Sequence, residues 1–256
     1  MKSLIIALSM YSRLPMPKIQ WQESSMKYIF CFLPVVGVII AVIEFLLFYL
    51  AKSIGLNSVF YAGLAAIIPI LITGGIHIDG FIDTLDALYS YGSKDKAHSI
   101  LEDPHVGAFA VIKVIIYFII YFASLVQIYD MAVGYDLIIG LCTGYVISRA
   151  LSVILILINK LAKKSGLLFT LSINANRPIT YIVAVIWLML SIYVLTIKGR
   201  YICMMIVIAL AIFITFFQSM LYKRFKGLTG DVIGYFLSNC ELIFVLIFAI
   251  GGVILV

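Results

Sequence analysis

The chain is 256 residues long, 64% hydrophobic and 12% charged, with a formal net charge of +6. This composition excludes a water-soluble body, because apolar runs of about 20 residues, enough for a helix to cross roughly 30 Å of hydrocarbon, recur from end to end. It also excludes nucleic acid as the reason for the positive charge, since the Lys and Arg residues are spread over short loops beside anionic lipid. The pattern predicts an all-α, polytopic integral membrane protein, a single domain over 1–256 with seven transmembrane helices.

The opening run, Leu4 to Met10, is too short to span. The Arg13-Leu14-Pro15 after it is not a small-residue cleavage site, so the run is expected to be an interfacial segment rather than a signal peptide. The first span covers Tyr28 to Leu50 and carries Glu44 midway, a carboxylate expected to be neutral or paired with a group such as Arg149. The second span covers Val59 to Ile78 and runs into Gly74-Gly75-Ile76-His77-Ile78-Asp79-Gly80-Phe81-Ile82-Asp83-Thr84-Leu85-Asp86. If the chain stays helical past Gly80, Asp79, Asp83 and Asp86 fall at i, i+4 and i+7 on one stripe, with His77 pointing away. Like charges that close repel, and a hard divalent cation such as Mg²⁺, its shell completed by substrate phosphate, relieves them. The bland alternative is an acidic helix face solvated beyond the membrane. Gly74, Gly75 and Gly80 weigh against that alternative, because close approach of a ligand to backbone needs glycine and a solvated helix does not.

Glu102-Asp103-Pro104-His105-Val106-Gly107 leads into the third span, Val106 to Ile128. Asp103 suits an N-cap with Pro104 at the first helical position, and a capping carboxylate can still face a metal site. Lys113, about two turns into this span, is expected to snorkel. The fourth span, Asp136 to Ile158, holds Arg149, and a guanidinium at such depth pairs with an acid or an anionic ligand. The fifth and sixth spans cover Ile179 to Ile197 and Tyr201 to Leu221. Gly227-Leu228-Thr229-Gly230-Asp231-Val232-Ile233-Gly234 then feeds the seventh, Val232 to Val256. Such a turn offers backbone N–H groups to phosphate, with Asp231 capping the helix or bringing a metal. The recurrence of Gly230, Gly234 and Ser238 suits close helix packing equally well, and the two readings are compatible. Cys31, Cys142, Cys203 and Cys240 lie far apart within spans and are expected to be buried apolar residues.

Alternate connections differ sharply in charge. One side collects Lys2, Arg13, Lys18, Lys27, Lys94, Lys96, Lys160, Lys163, Lys164, Arg177, Lys223, Arg224 and Lys226, and the other has Lys52, Lys198 and Arg200. The positive-inside rule therefore puts the N-terminus, and with it all the acidic clusters, in the cytoplasm and the C-terminus outside.

The chain resembles the cobalamin synthases, or adenosylcobinamide-GDP ribazoletransferases, over nearly its whole length. The resemblance rests on Ser12-Arg13-Leu14-Pro15-Met16-Pro17, the Gly74 to Gly80 block with Asp83-Thr84 and Asp86, Ser93 and Asp95, Asp103 with Gly107, Ser148-Arg149, and Gly227, Thr229-Gly230-Asp231, Gly234 and Glu241. It departs from the family's pattern at Ala87, His105, Ala110 and Ser238. The resemblance implies a multi-pass protein of the cell membrane that joins adenosylcobinamide-GDP to α-ribazole or its 5′-phosphate, releasing GMP. Asp79, Asp83, Asp86, Asp103 and Asp231 would hold Mg²⁺ and His77 would deprotonate the hydroxyl. Arg13, Gly74, Gly75, Gly80, Arg149, Thr229 and Gly230 would contact substrate. Its partners would be the corrinoid nucleotide, α-ribazole and the lipid bilayer, with room for a homo-oligomer. Two other readings stay open on the residues alone: a transporter using Glu44, Lys113, Arg149 and Glu241, and a CDP-alcohol phosphotransferase, whose Asp-Gly is followed two residues later by Ala-Arg where this chain has Asp83-Thr84.

Overall fold

The computed structural model describes residues 2–89, 100–101 and 105–255. Within them every element is helical. α1 (Lys2–Tyr11) and the short α2 (Glu23–Met26) lead through a 3₁₀ turn, Ile29–Phe32, into α3 (Leu33–Ser53), where Pro34 occupies the first turn, the one place its missing N–H costs nothing. α4 (Ser58–Thr73) starts on an Asn57 cap whose side chain accepts from the Phe60 N–H at 2.8 Å. α5 (Ile76–Tyr89), α6 (Ala108–Met131) and α7 (Asp136–Ile158) follow. α8 (Leu167–Asn174), α9 (Arg177–Lys198), α10 (Arg200–Arg224) and α11 (Gly230–Leu255) complete the order.

The fold corrects one predicted span. The run from Val59 to Ile78 is not one helix: α4 stops at Thr73, and α5 leaves it at 94°. Gly74 (φ +66°) and Gly75 (φ +81°) both sit in the left-handed region, where a Cβ would meet the backbone, and they end α4 with the Gly75 N–H donating to the Ile70 carbonyl at 3.0 Å. Among the described residues six helices are long and apolar enough to cross a membrane, or seven if the bent pair counts as one broken span. The other predicted spans match α3, α6, α7, α9, α10 and α11, with ends displaced by a few residues at most of them.

α7 is the central helix. Its apolar window is 83% buried, against 22–28% for α6, α9 and α10, whose exposed Ile119, Met189, Tyr193, Ile212 and Phe216 suit contact with lipid tails. α3, α9 and α11 pack around α7, and α11 also packs on α5, α6 and α10. Hydroxyls within the spans turn back on their own helices, as Ser124 does to Ile120, Ser152 to Ser148 and Ser191 to Trp187. All four cysteines are buried and free, as expected.

End-to-end contacts fix which connections lie together. At one end, Lys52 Nζ donates to the Tyr129 carbonyl at 2.8 Å, the Tyr129 hydroxyl donates to Leu56 at 2.8 Å, and Lys198 pairs with Asp136 at 2.7 Å. At the opposite end the Arg13 N–H donates to the Ile72 carbonyl at 2.7 Å, Asn176 donates to Lys27 at 2.9 Å, and Leu228 bridges to the strand-like Lys160–Ala162 segment. α4 therefore joins the two ends despite its 16 residues, about 24 Å. α1, α5 and the start of α11 gather at the second end.

α5 and α11 approach backbone to backbone. A Cβ built on Gly80 would lie 2.7 Å from the Asp231 Cα, and one on Gly234 would lie 2.7 Å from the His77 carbonyl oxygen, whereas Gly230 has nothing within 4 Å. Gly80→Ala and Gly234→Ala are each expected to cost on the order of 1–3 kcal/mol, visible as a fall in Tm in detergent, with Gly230→Ala unchanged or slightly stabilised. Equal Tm values for all three would contradict this contact.

Candidate active site

The break at Gly74-Gly75 releases the chain into a helix that carries its acids outward. α5 is continuous past Gly80, so Asp79, Asp83 and Asp86 do form one stripe, with Asp79 exposed and the other two half-buried. With 14 residues, about 21 Å, α5 is too short to span alone.

Asp83 is the focus of the stripe's charge. Partial burial, and then the negative charges of Asp79, Asp231 and Asp86, push its carboxyl up to about 6. Asp231 enters from α11, hydrogen-bonded to the Thr229 hydroxyl and facing the charge of Lys163. The cap of α11 is Thr229 rather than Asp231, since its hydroxyl accepts from the Val232 N–H at 3.2 Å and its carbonyl from the Ile233 N–H at 3.2 Å. That leaves the Asp231 carboxylate available to the site. At the far end of the stripe the Asp86 carboxylate packs against Gly107, the residue that caps α6. Among the described residues no three His, Cys, Asp or Glu side chains converge closely enough to enclose a metal ion. Asp103, predicted as a further ligand, lies outside the described residues, as do Ser93 and Asp95.

Two cavities open beside Asp79. One, about 320 Å³, lies under α8 and is lined by Tyr11, Leu33, His77, Asp79, Lys163, Leu168, Phe169, Leu171, Thr229, Gly230 and Asp231. The other, about 600 Å³, lies on the opposite side of the α4–α5 turn, lined by Ser9, Ser12, Arg13, Thr73, Gly74, Gly75, Asp79 and Ile82. Met10, Ile76 and Asp79 belong to both.

Three of the residues predicted to bind substrate serve other contacts. Gly80 is buried, and the space its missing side chain leaves is filled by Asp231 backbone, so it brings α5 onto α11 rather than onto a ligand. Gly74 makes room for the Arg13 side chain. Arg149 is fully buried within α7, its Nη1 2.6 Å from Glu241 Oε1 and 2.8 Å from the Tyr145 carbonyl, so its charge is answered by an acid of α11. Glu44 is accordingly not the partner of Arg149. It accepts from the Tyr145 hydroxyl at 3.3 Å, which lies 3.0 Å from the Tyr121 hydroxyl.

His77 points away from the stripe and lines both the α8 cavity and a small inner pocket with Arg149, Glu241 and Tyr117. Its Nε2 is buried and has no hydrogen-bond partner among the described residues. Sequence reasoning missed the α8 wall, because Leu167–Asn174 sits inside what was read as a loop. It also leaves Glu241 unassigned, since two spans each carry a lone glutamate, Glu44 and Glu241, that could answer the one arginine.

A helical membrane bundle with carboxylates and a guanidinium around small-molecule cavities at one end, rather than at its midplane, has the build of an integral membrane enzyme and not of a transport path. The chain belongs to the cobalamin-5-phosphate synthase family, whose model matches residues 3–249. Among curated relatives, the adenosylcobinamide-GDP ribazoletransferase of Lachnoclostridium phytofermentans is 39% identical over 94% of this chain and 91% of its own. That of Clostridium botulinum (strain Alaska E43 / Type E3) is 31% identical over 94% of each chain, and that of Fusobacterium nucleatum is 28% identical over 98% of each. No solved structure matches. The protein is thus a transferase of cobalamin biosynthesis built as a multi-pass membrane protein.

Because Asp83 holds its proton more tightly in the fold than a free carboxyl does, the protein without divalent cations should lose stability as pH rises from about 4 to about 6. Asp83→Asn should remove that loss and show a Tm at or above that of the parent at pH 7 in EDTA. A Tm below the parent's there would mean that the cluster is not repulsive.

Proposed function

We propose that the chain joins adenosylcobinamide-GDP to α-ribazole or α-ribazole 5′-phosphate, giving adenosylcobalamin or its 5′-phosphate and GMP. The observation that carries this is the meeting of the α5 acidic stripe with Asp231 beside two ligand-sized cavities, in a chain that matches ribazoletransferases along almost its whole length.

A ribose hydroxyl oxygen attacks the corrinoid-linked phosphorus of the pyrophosphate. The new O–P bond forms as the bridging P–O bond breaks, and GMP leaves with that electron pair. Such transition states are loose, so alignment and charge neutralisation contribute more than covalent help. The hydroxyl proton goes to Asp79, the exposed carboxylate that borders both cavities. We prefer Asp79 to His77 here because Asp79 is exposed and borders both cavities, whereas the His77 Nε2 is buried.

Asp83, Asp86 and Asp231 would hold Mg²⁺, with Asp79 beside them and Asp103 completing the set. The donors suit it: hard oxygens only, mutually repelling at Asp83, and too open to enclose an ion by themselves, as befits a cation shared with substrate phosphates. When bound, the cation supplies charge neutralisation for the pyrophosphate and the departing GMP oxygen. Thr229 and Gly230 border the same cavity, and Gly230, with no atom within 4 Å of a built Cβ, leaves its backbone open to ligand.

The site faces the cytoplasm in this reading. The connections at its end carry Lys160, Lys163, Lys164, Lys223, Arg224 and Lys226, while the opposite end has Lys52, Lys198 and Arg200.

Detergent-purified protein given adenosylcobinamide-GDP, α-ribazole and Mg²⁺ should release GMP and form the cobalamin. EDTA should abolish turnover, and Asp83→Asn should lower kcat by at least ~100-fold. No GMP with any divalent cation from folded protein would overturn the proposal, and full activity in Asp83→Asn would move the cation elsewhere.

A further inference from the structure

The two cavities beside Asp79 differ in chemistry in a way that separates the two substrates. We infer that the α8 cavity seats the benzimidazole nucleoside and the Arg13 cavity seats the pyrophosphate of the corrinoid nucleotide, with Met10, Ile76 and Asp79 as the wall across which they react. This assignment rests on the transfer proposed above.

The α8 cavity is walled mainly by apolar and aromatic side chains, among them Tyr11, Leu33, Leu168, Phe169 and Leu171. A flat, largely apolar benzimidazole ring gains from burial there, at about 25 cal/mol per Å² of apolar surface removed from water. The polar groups of this cavity are His77 and Asp79 on α5, Thr229 and Asp231 at the start of α11, and Lys163 and Ser165 on the connection into α8; Asp79 and Asp231 can accept hydrogen bonds from ribose hydroxyls. Its two carboxylates outnumber its one side-chain cation, Lys163, whose charge is already set against Asp231. At about 320 Å³ the cavity is at the small end for ligand sites, which suits the smaller of the two substrates.

The Arg13 cavity has the reverse character. At about 600 Å³ it is the roomier one, and it borders a single carboxylate, Asp79. Arg13 contributes a planar guanidinium, the side chain best shaped to grip phosphate oxygens in pairs. Its backbone is tied down by the N–H donated to Ile72, and its side chain lies across Gly74, so the charge is held at the α4–α5 turn. Gly75, left-handed and with only Ile70 at 3.9 Å from a built Cβ, leaves the turn open on the cavity side. Ser9 and Ser12 add hydroxyls to the same rim.

Because Asp79 and Ile76 border both cavities, a hydroxyl projecting from one and a phosphorus held in the other meet over the first turn of α5, one turn before Asp83. A nucleoside in the Arg13 cavity would forgo the aromatic wall, and a pyrophosphate under α8 would lack Arg13 and meet two acids, with Lys163 already set against one of them.

Equilibrium binding of α-ribazole and of adenosylcobinamide-GDP, each alone with Mg²⁺, to the full-length protein in detergent tests the assignment. Leu168→Trp, which fills the α8 cavity from a half-buried position, and Phe169→Ala, which strips its wall, should each weaken α-ribazole binding by about tenfold or more and change adenosylcobinamide-GDP binding by less than about twofold. Arg13→Gln should do the opposite, and KM values for the two substrates should split in the same way. If the variants act on the other substrate, or on both equally, the assignment is overturned while the proposed transfer stands. If the unaltered protein binds neither substrate, the proposed transfer fails with it.

Discussion

The turn at Gly74-Gly75 is the constraint on which the rest of the site depends. Two consecutive left-handed residues stop an apolar helix about 24 Å long and send the chain off at 94°. Without that turn the hydrophobic run would carry Ile76, His77 and Ile78 straight on and leave the acids beyond as an isolated polar extension. With it, α5 folds back along α11, and the packing of Gly80 on Asp231 and Gly234 on His77 fixes how the acids of the two helices face each other. The same turn shapes both cavities, since Arg13 rests on Gly74 and Ile76 and Asp79 form the wall between them.

Behind this surface the bundle keeps a polar interior that is expensive in hydrocarbon. Arg149 meets Glu241 at 2.6 Å, and Glu44 is held through Tyr145, whose hydroxyl lies 3.0 Å from that of Tyr121. A buried pair of this kind is weak evidence for added stability, because desolvation offsets much of the attraction, yet removing one partner strands the other charge. Its effect is on arrangement: α7 and α11 are locked in register from the inside, and α11 is the helix that presents Thr229, Gly230 and Asp231. His77 lines the pocket that holds this pair and also the α8 cavity, so it joins the two layers.

Much of this was legible from composition and spacing. Both ends of the fourth span are legible, because polar Asp136 and Asn159 bracket a mostly apolar run in which Arg149 is the one charge. The acidic stripe followed from i, i+4 and i+7 alone. The break before it did not, because the apolar run continues through Ile76 and Ile78 on either side of His77, and hydropathy does not register a left-handed glycine pair. Gly80 was recognised as a place of close approach, but only the fold shows that what approaches is Asp231. Arg149 was expected to find an acid or an anionic ligand, and no spacing rule could choose between Glu44 and Glu241, which lie in different helices on either side of it. The wall of the α8 cavity was hidden for a related reason: eight residues between two loops carry too little periodicity to stand out as a helix.

The central claim is that carboxylates from α5 and α11 act as one unit. The most direct test is a double-mutant cycle on GMP release, with Asp83→Asn, Asp231→Asn and the combined variant. If the two acids share one cation, the combined variant should be scarcely worse than the more damaged single variant, because the first loss already removes what the second would cost. Losses that simply multiply would show two independent roles and contradict the account.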